Sequence, residues 1–210
     1  MIPVYCIHLP NPERKAKIAA ELSRAGFTDV TYVHAKEPVQ GFTMNNMRRN
    51  PRGEFGCSLS HLRAIAAALA DGQYQALFIE DDVVFSGAER LPAALAELPD
   101  DWQVLYLGGH PRSAVCKVSP HLVRVGLWSF AEGYILNRPA MLDFLSFWLN
   151  EAGQANALYD IILGTFAAEG GGYCVYAPMT HQPPGWSHIG QKQDDKRHLI
   201  EKGWKTHLGA

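Results

Sequence analysis

Three consecutive acids, Glu80, Asp81 and Asp82, are the sharpest chemical feature of the sequence. They interrupt the apolar segment LFIEDDVVF, in which carboxylates buried without a counter-charge would be costly. Hard cations such as Mg²⁺ and Mn²⁺ bind oxygen ligands and are often shared with substrate phosphates. The triplet therefore favours a cation site with a nucleotide ligand over the alternative, a solvated acidic turn.

A second group of chemistry-bearing residues lies in the segment GEFGCSLSH, residues 53–61. Apolar spacing predicts a helix that begins near Cys57, so that Ser60, His61 and free backbone N–H groups could together hold an anion. Capping serines and an ordinary buried histidine explain the same residues without a ligand. Cys57 and His61, four residues apart, also suggest a thiol nucleophile, but no orienting third group accompanies them.

Several arginines could meet a phosphate group. Arg14 directly follows the first predicted strand, although an exposed arginine at a helix start is an equal alternative. Arg48, Arg49 and Arg52 fall in a segment without periodicity, residues 35–55, which predicts a long loop. A solvated basic loop explains those three residues at least as well as an anionic ligand does.

Short apolar runs alternate with helical patterns along the chain. Strands are predicted at residues 2–9, 30–34, 75–79, 104–107, 123–127, 131–136 and 173–176. Helices are predicted at residues 12–25, 57–71, 91–98, 139–150 and 157–168. This alternation predicts an α/β domain of Rossmann-like type, with a mostly parallel sheet covered by helices. We expect one domain over residues 1–210, with an extended C-terminal arm from about residue 182.

Composition excludes several classes of protein. The chain has 210 residues, 47% of them apolar, which excludes a disordered or fibrous protein. A net charge of -2 gives no field that favours nucleic acid. Four widely spaced cysteines fit reduced thiols, and the first residues read as a strand rather than a signal peptide. No apolar run reaches the length of a membrane span, so a cytoplasmic protein is expected, with peripheral contact to the inner membrane left open.

Several segments, taken in order, resemble glycosyltransferase family 25. They are IHLPNPERK, GEFGCSLSHLRAI, LFIEDDVVF, LYLGG, EGYILNR, the pair Tyr159–Asp160 and YAPMTHQ. The second and third segments are the most specific. The resemblance implies a GT-A-like nucleotide-diphospho-sugar transferase fold. It also implies inverting transfer of a hexose, usually galactose from UDP-galactose, as in lipooligosaccharide and collagen galactosyltransferases.

The resemblance assigns a divalent metal, Mn²⁺ or Mg²⁺, to the acidic triplet. Glu80 and Asp82 would form the acidic D-x-D-like motif that holds this metal on the donor's diphosphate. His181 and His188 lie in the late segment, from which GT-A enzymes commonly supply one more metal ligand. Such a metal would neutralise the charge that develops on the leaving diphosphate.

Inversion also requires a carboxylate that takes a proton from the acceptor hydroxyl. Asp160 is the first candidate because the family has an acid at the matching place, although a helix-start capping role explains it equally well. Glu132 is the second, since its charge interrupts an apolar segment before a glycine. The residues expected to contact the donor are Arg14, Ser60, His61 and Asp81.

The sequence therefore predicts an enzyme that acts on a nucleotide sugar and on a saccharide acceptor of a surface glycan. Two other interpretations stay open at this point. A non-catalytic module could bind the sugar nucleotide without turnover. A metal phosphohydrolase would need only the acidic triplet and would release phosphate without an acceptor.

Overall fold

A computed structural model describes residues 2–36, 51–152, 158–187 and 192–208. Its strands are β1 (Val4–His8), β2 (Val30–His34), β3 (Gln75–Glu80), β4 (Val84–Phe85), β5 (Val104–Tyr106), β6 (His110–Pro111), β7 (Cys116–Lys117), β8 (Leu122–Arg124), β9 (Trp128–Ser129), β10 (Gly133–Asn137), β11 (Gly172–Val175), β12 (Thr180–His181), β13 (Gly185–Ser187) and β14 (Lys192–Asp194). Its α-helices are α1 (Pro12–Arg24), α2 (Pro51–Ala70), α3 (Leu91–Ala96), α4 (Arg138–Ala152), α5 (Tyr159–Glu169) and α6 (Arg197–His207). Among these described residues, we find no helix with the length and apolarity needed to cross a bilayer.

An eight-stranded sheet with the order β2-β1-β3-β10-β5-β11-β8-β7 forms the centre of the fold. β1 is parallel to β2 and β3, and β5 is parallel to β11. β10 is antiparallel to β3 and β5, and β8 is antiparallel to β11 and β7. All strands of this sheet except β10 and β8 therefore point the same way. The predicted α/β sheet is confirmed, with two reversed strands inserted.

The first helix follows from local sequence signals. Asn11 Oδ1 accepts hydrogen bonds from two N–H groups of the first turn, at 3.0 and 3.1 Å, and Pro12 provides a fixed φ at the helix start. Ile18 and Leu22 lie on the buried face of α1. These signals fix where α1 begins, and they hold Arg14 beside the carboxyl end of β1.

The central strands explain where a site can form. The segment Ala76–Ile79 of β3 is fully buried, as are the neighbouring Ile135 and Leu136 of β10 and Leu105 of β5. Apolar residues therefore fill both faces of the sheet, and polar side chains collect where the strands end. The carboxyl ends of β1 and β3 lie at the same edge as the first residue of β10, and a ligand of an open α/β sheet is expected there.

The predicted start of the second long helix is wrong. α2 begins at Pro51, six residues before Cys57. Its first residues have low helix propensity, yet they form part of the helix instead of preceding it. Ser60 and His61 therefore lie inside α2, where the backbone N–H groups are already used, and the predicted anion site at a helix start is absent there. Residues 51–55 are helical instead of part of a loop, and residues 37–50 lie outside the described residues.

The described part of the C-terminal arm contains regular secondary structure. β13 and β14 pair as an antiparallel hairpin, and α6 follows. Trp204 of α6 packs edge-on against Trp128, with ring centroids 5.7 Å apart, and donates a hydrogen bond from Nε1 to the carbonyl oxygen of Gly109 at 3.3 Å. The partly buried Trp204 thus helps to hold α6 against the rest of the fold, and Lys196, which directly precedes α6, lies at the edge that carries the acids.

Close packing of α5 on β9 gives a test of this fold. A Cβ atom added at Gly164 would lie 2.1 Å from the carbonyl oxygen of Trp128. We therefore expect Gly164→Ala to lower the free energy of unfolding by about 2 kcal/mol or more, measured by chemical denaturation, because backbone atoms would have to move. Ala168→Ser, at an exposed position of the same helix, is the control, with an expected change below about 0.5 kcal/mol. Equal stability of the two variants would contradict this packing.

Candidate functional site

The acidic triplet lies at the carboxyl end of β3, and Arg14 joins two of its members. Asp81 is buried, accepts a hydrogen bond from the backbone N–H of Leu9 at 2.9 Å, and forms an ion pair with the Arg14 guanidinium. The same guanidinium lies 3.1 Å from Asp82. Asp81 therefore ties the end of β1 to the turn after β3. Arg14 and Asp81 both reach the predicted site, and their contact with a donor stays a prediction.

The Glu80 side chain contacts two other segments of the chain. Its Oε1 lies 3.3 Å from His61 Nε2, and its Oε2 accepts a hydrogen bond from Gln182 Nε2 at 2.5 Å. Burial disfavours the ionised form of Glu80. This effect is outweighed by the hydrogen bond and charge of His61, the charge of Lys196 and the hydrogen bond from the Gln182 amide. The pKa of Glu80 is therefore lowered, and Glu80 carries its negative charge at neutral pH.

Asp82 is the most accessible of the three acids, with 39% of its side chain exposed. Partial loss of solvation and the negative charge of Glu80 raise the pKa of Asp82 to about 6, and the positive charge of Arg14 opposes this shift. A cation placed between Glu80 and Asp82 would lower this pKa by favouring the ionised carboxylate. Added positive charge beside Asp82 would therefore be favourable.

Two residues of the site have no obvious signal in the sequence, Gln182 and Lys196. Gln182 Nε2 donates to Asp82 at 3.0 Å as well as to Glu80, and Gln182 Oε1 accepts a hydrogen bond from Lys196 Nζ at 3.0 Å. The Lys196 ammonium also lies 4.8 Å from the centre of the Phe130 ring. Gln182 follows directly after one predicted ligand, but only the fold of the C-terminal arm brings Lys196 to this edge.

Glu132, the second candidate base, lies beside the triplet. Its backbone carbonyl accepts a hydrogen bond from the Glu80 N–H at 3.2 Å, and its side chain is buried. Its Oε1 has no hydrogen-bond partner among the described residues. Burial raises the pKa of Glu132 to about 8, with the charge of Glu80 adding to it and that of Lys196 opposing it. The carboxyl is therefore largely protonated at neutral pH.

Asp160, the first candidate base, supports a loop. Its Oδ1 accepts a hydrogen bond from the Ile161 N–H at 3.0 Å, and its Oδ2 accepts one from the Phe130 N–H at 3.1 Å. Phe130 has φ of 70°, in the left-handed region that is unfavourable for a bulky side chain. Asp160 thus stabilises the start of α5 and a strained turn, and its role as a base stays a prediction.

His61 and Ser60 differ in what they contact. Ser60 Oγ donates to the carbonyl of Gly56 at 2.6 Å and accepts from the N–H of Lys36 at 2.8 Å, so its hydroxyl joins two parts of the backbone. His61 faces Glu80, as described above, and its Nδ1 lies 3.0 Å from the Tyr134 hydroxyl. Of the two predicted donor contacts on α2, His61 alone contacts the acids.

The structure describes one of the two predicted histidine ligands, His181, and among the described residues its side chain makes no hydrogen bond or ion pair with the acids. His181 in β12 pairs through the backbone with Val84, and it is the next residue, Gln182, that contacts the acids. Arg52 belongs to the first turn of α2. His188, Arg48 and Arg49 lie outside the described residues.

Cys57 has the environment of an inert thiol. Burial, followed by the negative charges of Glu80 and Asp160, raises its pKa well above that of an ordinary cysteine. A thiol nucleophile needs a lowered pKa or an adjacent base that takes its proton. The surroundings of Cys57 therefore argue against the nucleophile that its spacing from His61 suggested.

Comparison with protein-family models gives no match, and comparison with curated protein sequences gives none either. Among solved structures, the glycosyltransferase GlyE in Streptococcus pneumoniae TIGR4 is similar over 100% of this chain and 62% of that one, with a TM-score of 0.50 and 10% identity. This chain has a GT-A-like nucleotide-sugar transferase fold. The predicted fold class is thereby confirmed, and membership of family 25 stays a prediction.

Two other solved structures align over much of their length. The mannose-1-phosphate geranyltransferase from Thermus thermophilus has a TM-score of 0.49 and 12% identity, over 86% of this chain and 76% of that one. The protein A197 from STIV has a TM-score of 0.48 and 12% identity, over 93% of this chain and 95% of that one.

The carboxylates of this GT-A-like edge fit a hard divalent cation. Glu80 Oε2 and Asp82 Oδ1 approach the same Gln182 nitrogen, at 2.5 and 3.0 Å, so one small cation could contact both oxygens. Rotation of the Gln182 amide would then offer its oxygen as a further ligand. Carboxylate and amide oxygens are the donors that Mn²⁺ and Mg²⁺ prefer.

The buried carboxyl of Glu132 gives a prediction for stability against pH. Its pKa is raised from 4.5 to about 8 on folding, so the unfolded chain loses this proton first, and the carboxyl destabilises the fold increasingly as pH rises between those values. Glutamine has no such proton to lose. The free energy of unfolding of Glu132→Gln relative to wild type should therefore increase over this range, by up to about 1.4 kcal/mol per pH unit, and then level off.

Chemical denaturation at several pH values from about 5 to about 8 measures this difference. Glu169→Gln, which removes an exposed carboxyl, is the matched control. A stability difference that does not change with pH, or one equal to the control's, would show that Glu132 is not buried as a neutral acid.

Proposed function

We propose that this chain is an inverting glycosyltransferase related to family 25. It would transfer a hexose, galactose from UDP-galactose in the first instance, to a saccharide acceptor of a lipooligosaccharide or another surface glycan. One observation supports the proposal above all. The carboxylate triplet lies at the ligand-binding edge of a GT-A-like sheet, with positively charged side chains beside it. We place the reaction in the cytoplasm, with the enzyme peripheral to the inner membrane.

Glu80 and Asp82 would hold Mn²⁺ or Mg²⁺, which when bound neutralises the donor's diphosphate as the sugar leaves. Arg14 and Lys196 supply positive charge at the same edge whether or not the cation is bound. Arg14 lies against Asp81 and Asp82, and Lys196 lies against Gln182, so the two cations would contact the diphosphate at different points and help to orient it. Gln182 would exchange its hydrogen bonds to the acids for a contact with the cation.

Unpartnered polar atoms support a ligand at this edge. His8 Nε2, Arg14 Nε and Thr180 Oγ1 are buried and have no hydrogen-bond partner among the described residues. Such groups are rare in folded proteins unless water or a ligand completes them. Their positions at the end of β1, at the start of α1 and in β12 suit the hydroxyl and phosphate groups of a sugar nucleotide.

Glu132 is the better candidate for the base. Both carboxylate oxygens of Asp160 already accept backbone hydrogen bonds, whereas Glu132 Oε1 accepts none among the described residues. With its pKa raised to about 8, the ionised form of Glu132 is a stronger base than an ordinary carboxylate. It would take the proton of the acceptor hydroxyl, while Asp160 keeps the Phe130 turn in place.

A non-catalytic sugar-nucleotide module is the second candidate. The observation that favours it is that Gln182 and Lys196 already satisfy part of the charge of the triplet. In such a module, the acids would serve stability and binding instead of turnover.

The first test incubates the protein with UDP-galactose, Mn²⁺ and a panel of saccharide acceptors. Transfer is measured as the release of UDP. Asp82→Asn should lower kcat by about 100-fold or more, because it removes a charge that holds the cation on the leaving group. Asp143→Asn, at an exposed position of α4, should change kcat less than about twofold. Binding of UDP-galactose without turnover on any acceptor would support the module instead, and absence of both binding and turnover would contradict the proposal.

The second test separates the two candidate bases. Glu132→Gln should lower kcat by about 10²- to 10⁴-fold with little change in KM, and the wild-type rate should rise with pH up to about 8. Asp160→Asn, which keeps the size of the side chain, should lower kcat much less. The opposite order of effects would assign the base to Asp160.

A further inference from the structure

Cys57, His61 and Glu80 form a second cluster of metal-ligating groups, next to the carboxylate pair but different in chemistry. Their ligand atoms, one from each residue, all lie within 4.8 Å of one another. Cys57 and His61 are one helical turn apart on α2, and Glu80 ends β3. One thiol, one imidazole and one carboxylate are the donors expected for Zn²⁺, and they differ from the all-oxygen donors of Mg²⁺.

The distances suit a zinc-type ion. Bonds of about 2.0–2.3 Å in a tetrahedral arrangement place neighbouring ligand atoms roughly 3.3–3.6 Å apart. His61 Nε2 and Glu80 Oε1 are 3.3 Å apart, long for a charge-assisted hydrogen bond but suitable for two ligands of one ion. The Cys57 sulfur lies within 4.8 Å of one ligand atom of each of the other two residues, so a side-chain movement of about 1 Å would complete the set.

The surroundings of His61 also resemble those of a metal ligand. Its Nδ1 lies 3.0 Å from the Tyr134 hydroxyl, which lies 2.6 Å from the Tyr159 hydroxyl. Its ring is stacked on Tyr159, with centroids 4.2 Å apart and planes 14° apart. In the tautomer in which Nδ1–H donates to Tyr134, the lone pair of Nε2 faces Glu80 and could bind a cation; without the cation, Nε2–H can donate to Glu80 instead. Such an orienting hydrogen bond is typical of histidines that bind metals.

We propose that Cys57, His61 and Glu80 bind one zinc-type divalent cation, with the fourth position open to water or to a ligand. On binding, Cys57 loses its proton to solvent and its thiolate joins the ion. Because Glu80 also belongs to the carboxylate pair, an ion in this thiol site and a hard ion on Glu80 and Asp82 would share one ligand. The test reads metal binding instead of sugar transfer, so it stands apart from the proposed function.

Titration of the metal-free wild-type chain with Co²⁺ is the experiment, since a cobalt–thiolate bond gives a charge-transfer absorption band. We expect one Co²⁺ per chain with this band, displacement of the band by Zn²⁺, and no displacement by Mg²⁺ in large excess. Absence of the band at saturating Co²⁺ would overturn the proposal. So would displacement by Mg²⁺, because it would place the ion on the carboxylates.

Variants assign the ligands. Cys57→Ser should remove the band, and His61→Gln should weaken Zn²⁺ binding at least about tenfold, measured by calorimetry. Cys116→Ser is the matched control, because Cys116 is the exposed free cysteine and its loss should leave both readouts unchanged. Loss of the band in the Cys116→Ser variant would show that this surface thiol binds the ion.

If Cys57→Ser does not fold, alkylation of the wild-type protein replaces it. Zn²⁺ should then slow the labelling of Cys57, located by peptide mass spectrometry, at least about tenfold relative to Cys116. Equal rates of Cys57 labelling with and without Zn²⁺ would overturn the proposal.

Discussion

The rest of this structure depends on the repulsion between three adjacent carboxylates at the end of a buried strand. Side chains this close cannot all stay ionised in an apolar setting unless positive charge or hydrogen-bond donors surround them. The chain meets this need with Arg14 from the first helix, His61 from α2 and Lys196 from the C-terminal arm. Segments far apart in the sequence must therefore come together before the triplet is stable.

The charge distribution within the site is uneven, because the surroundings shift the pKa values of its carboxyl groups in different directions. The pKa of Glu80 is lowered, that of Asp82 is raised to about 6, and that of Glu132 is raised to about 8. Carboxyl groups whose pKa values are pushed apart by their surroundings can take different roles in one reaction. Aromatic rings under the site, those of Tyr134 and Tyr159, fix His61 and so the direction from which Glu80 is approached.

Local signals in the sequence were sufficient for the parts of the site that depend on neighbouring residues. The Asn11 cap and the apolar run before Glu80 predicted where Arg14 and the acids lie. The predicted start of α2 was wrong because tertiary packing can override weak local propensity: Phe55, near the start of the helix, packs against the core. The reversal of β10 and the position of Lys196 depend on contacts between distant segments, which periodicity in one stretch cannot indicate.

The anchoring of α6 has a consequence for how the edge is controlled. α6 is held by the contact of Trp204 with Trp128, and Lys196, the residue just before α6, contributes a cationic group to the acidic edge. Disrupting the contact between Trp204 and Trp128 would leave the sheet intact, but it would change the positive charge near Glu80 and Asp82. The position of this positive charge beside the acids therefore depends partly on a hydrophobic contact made by a different element.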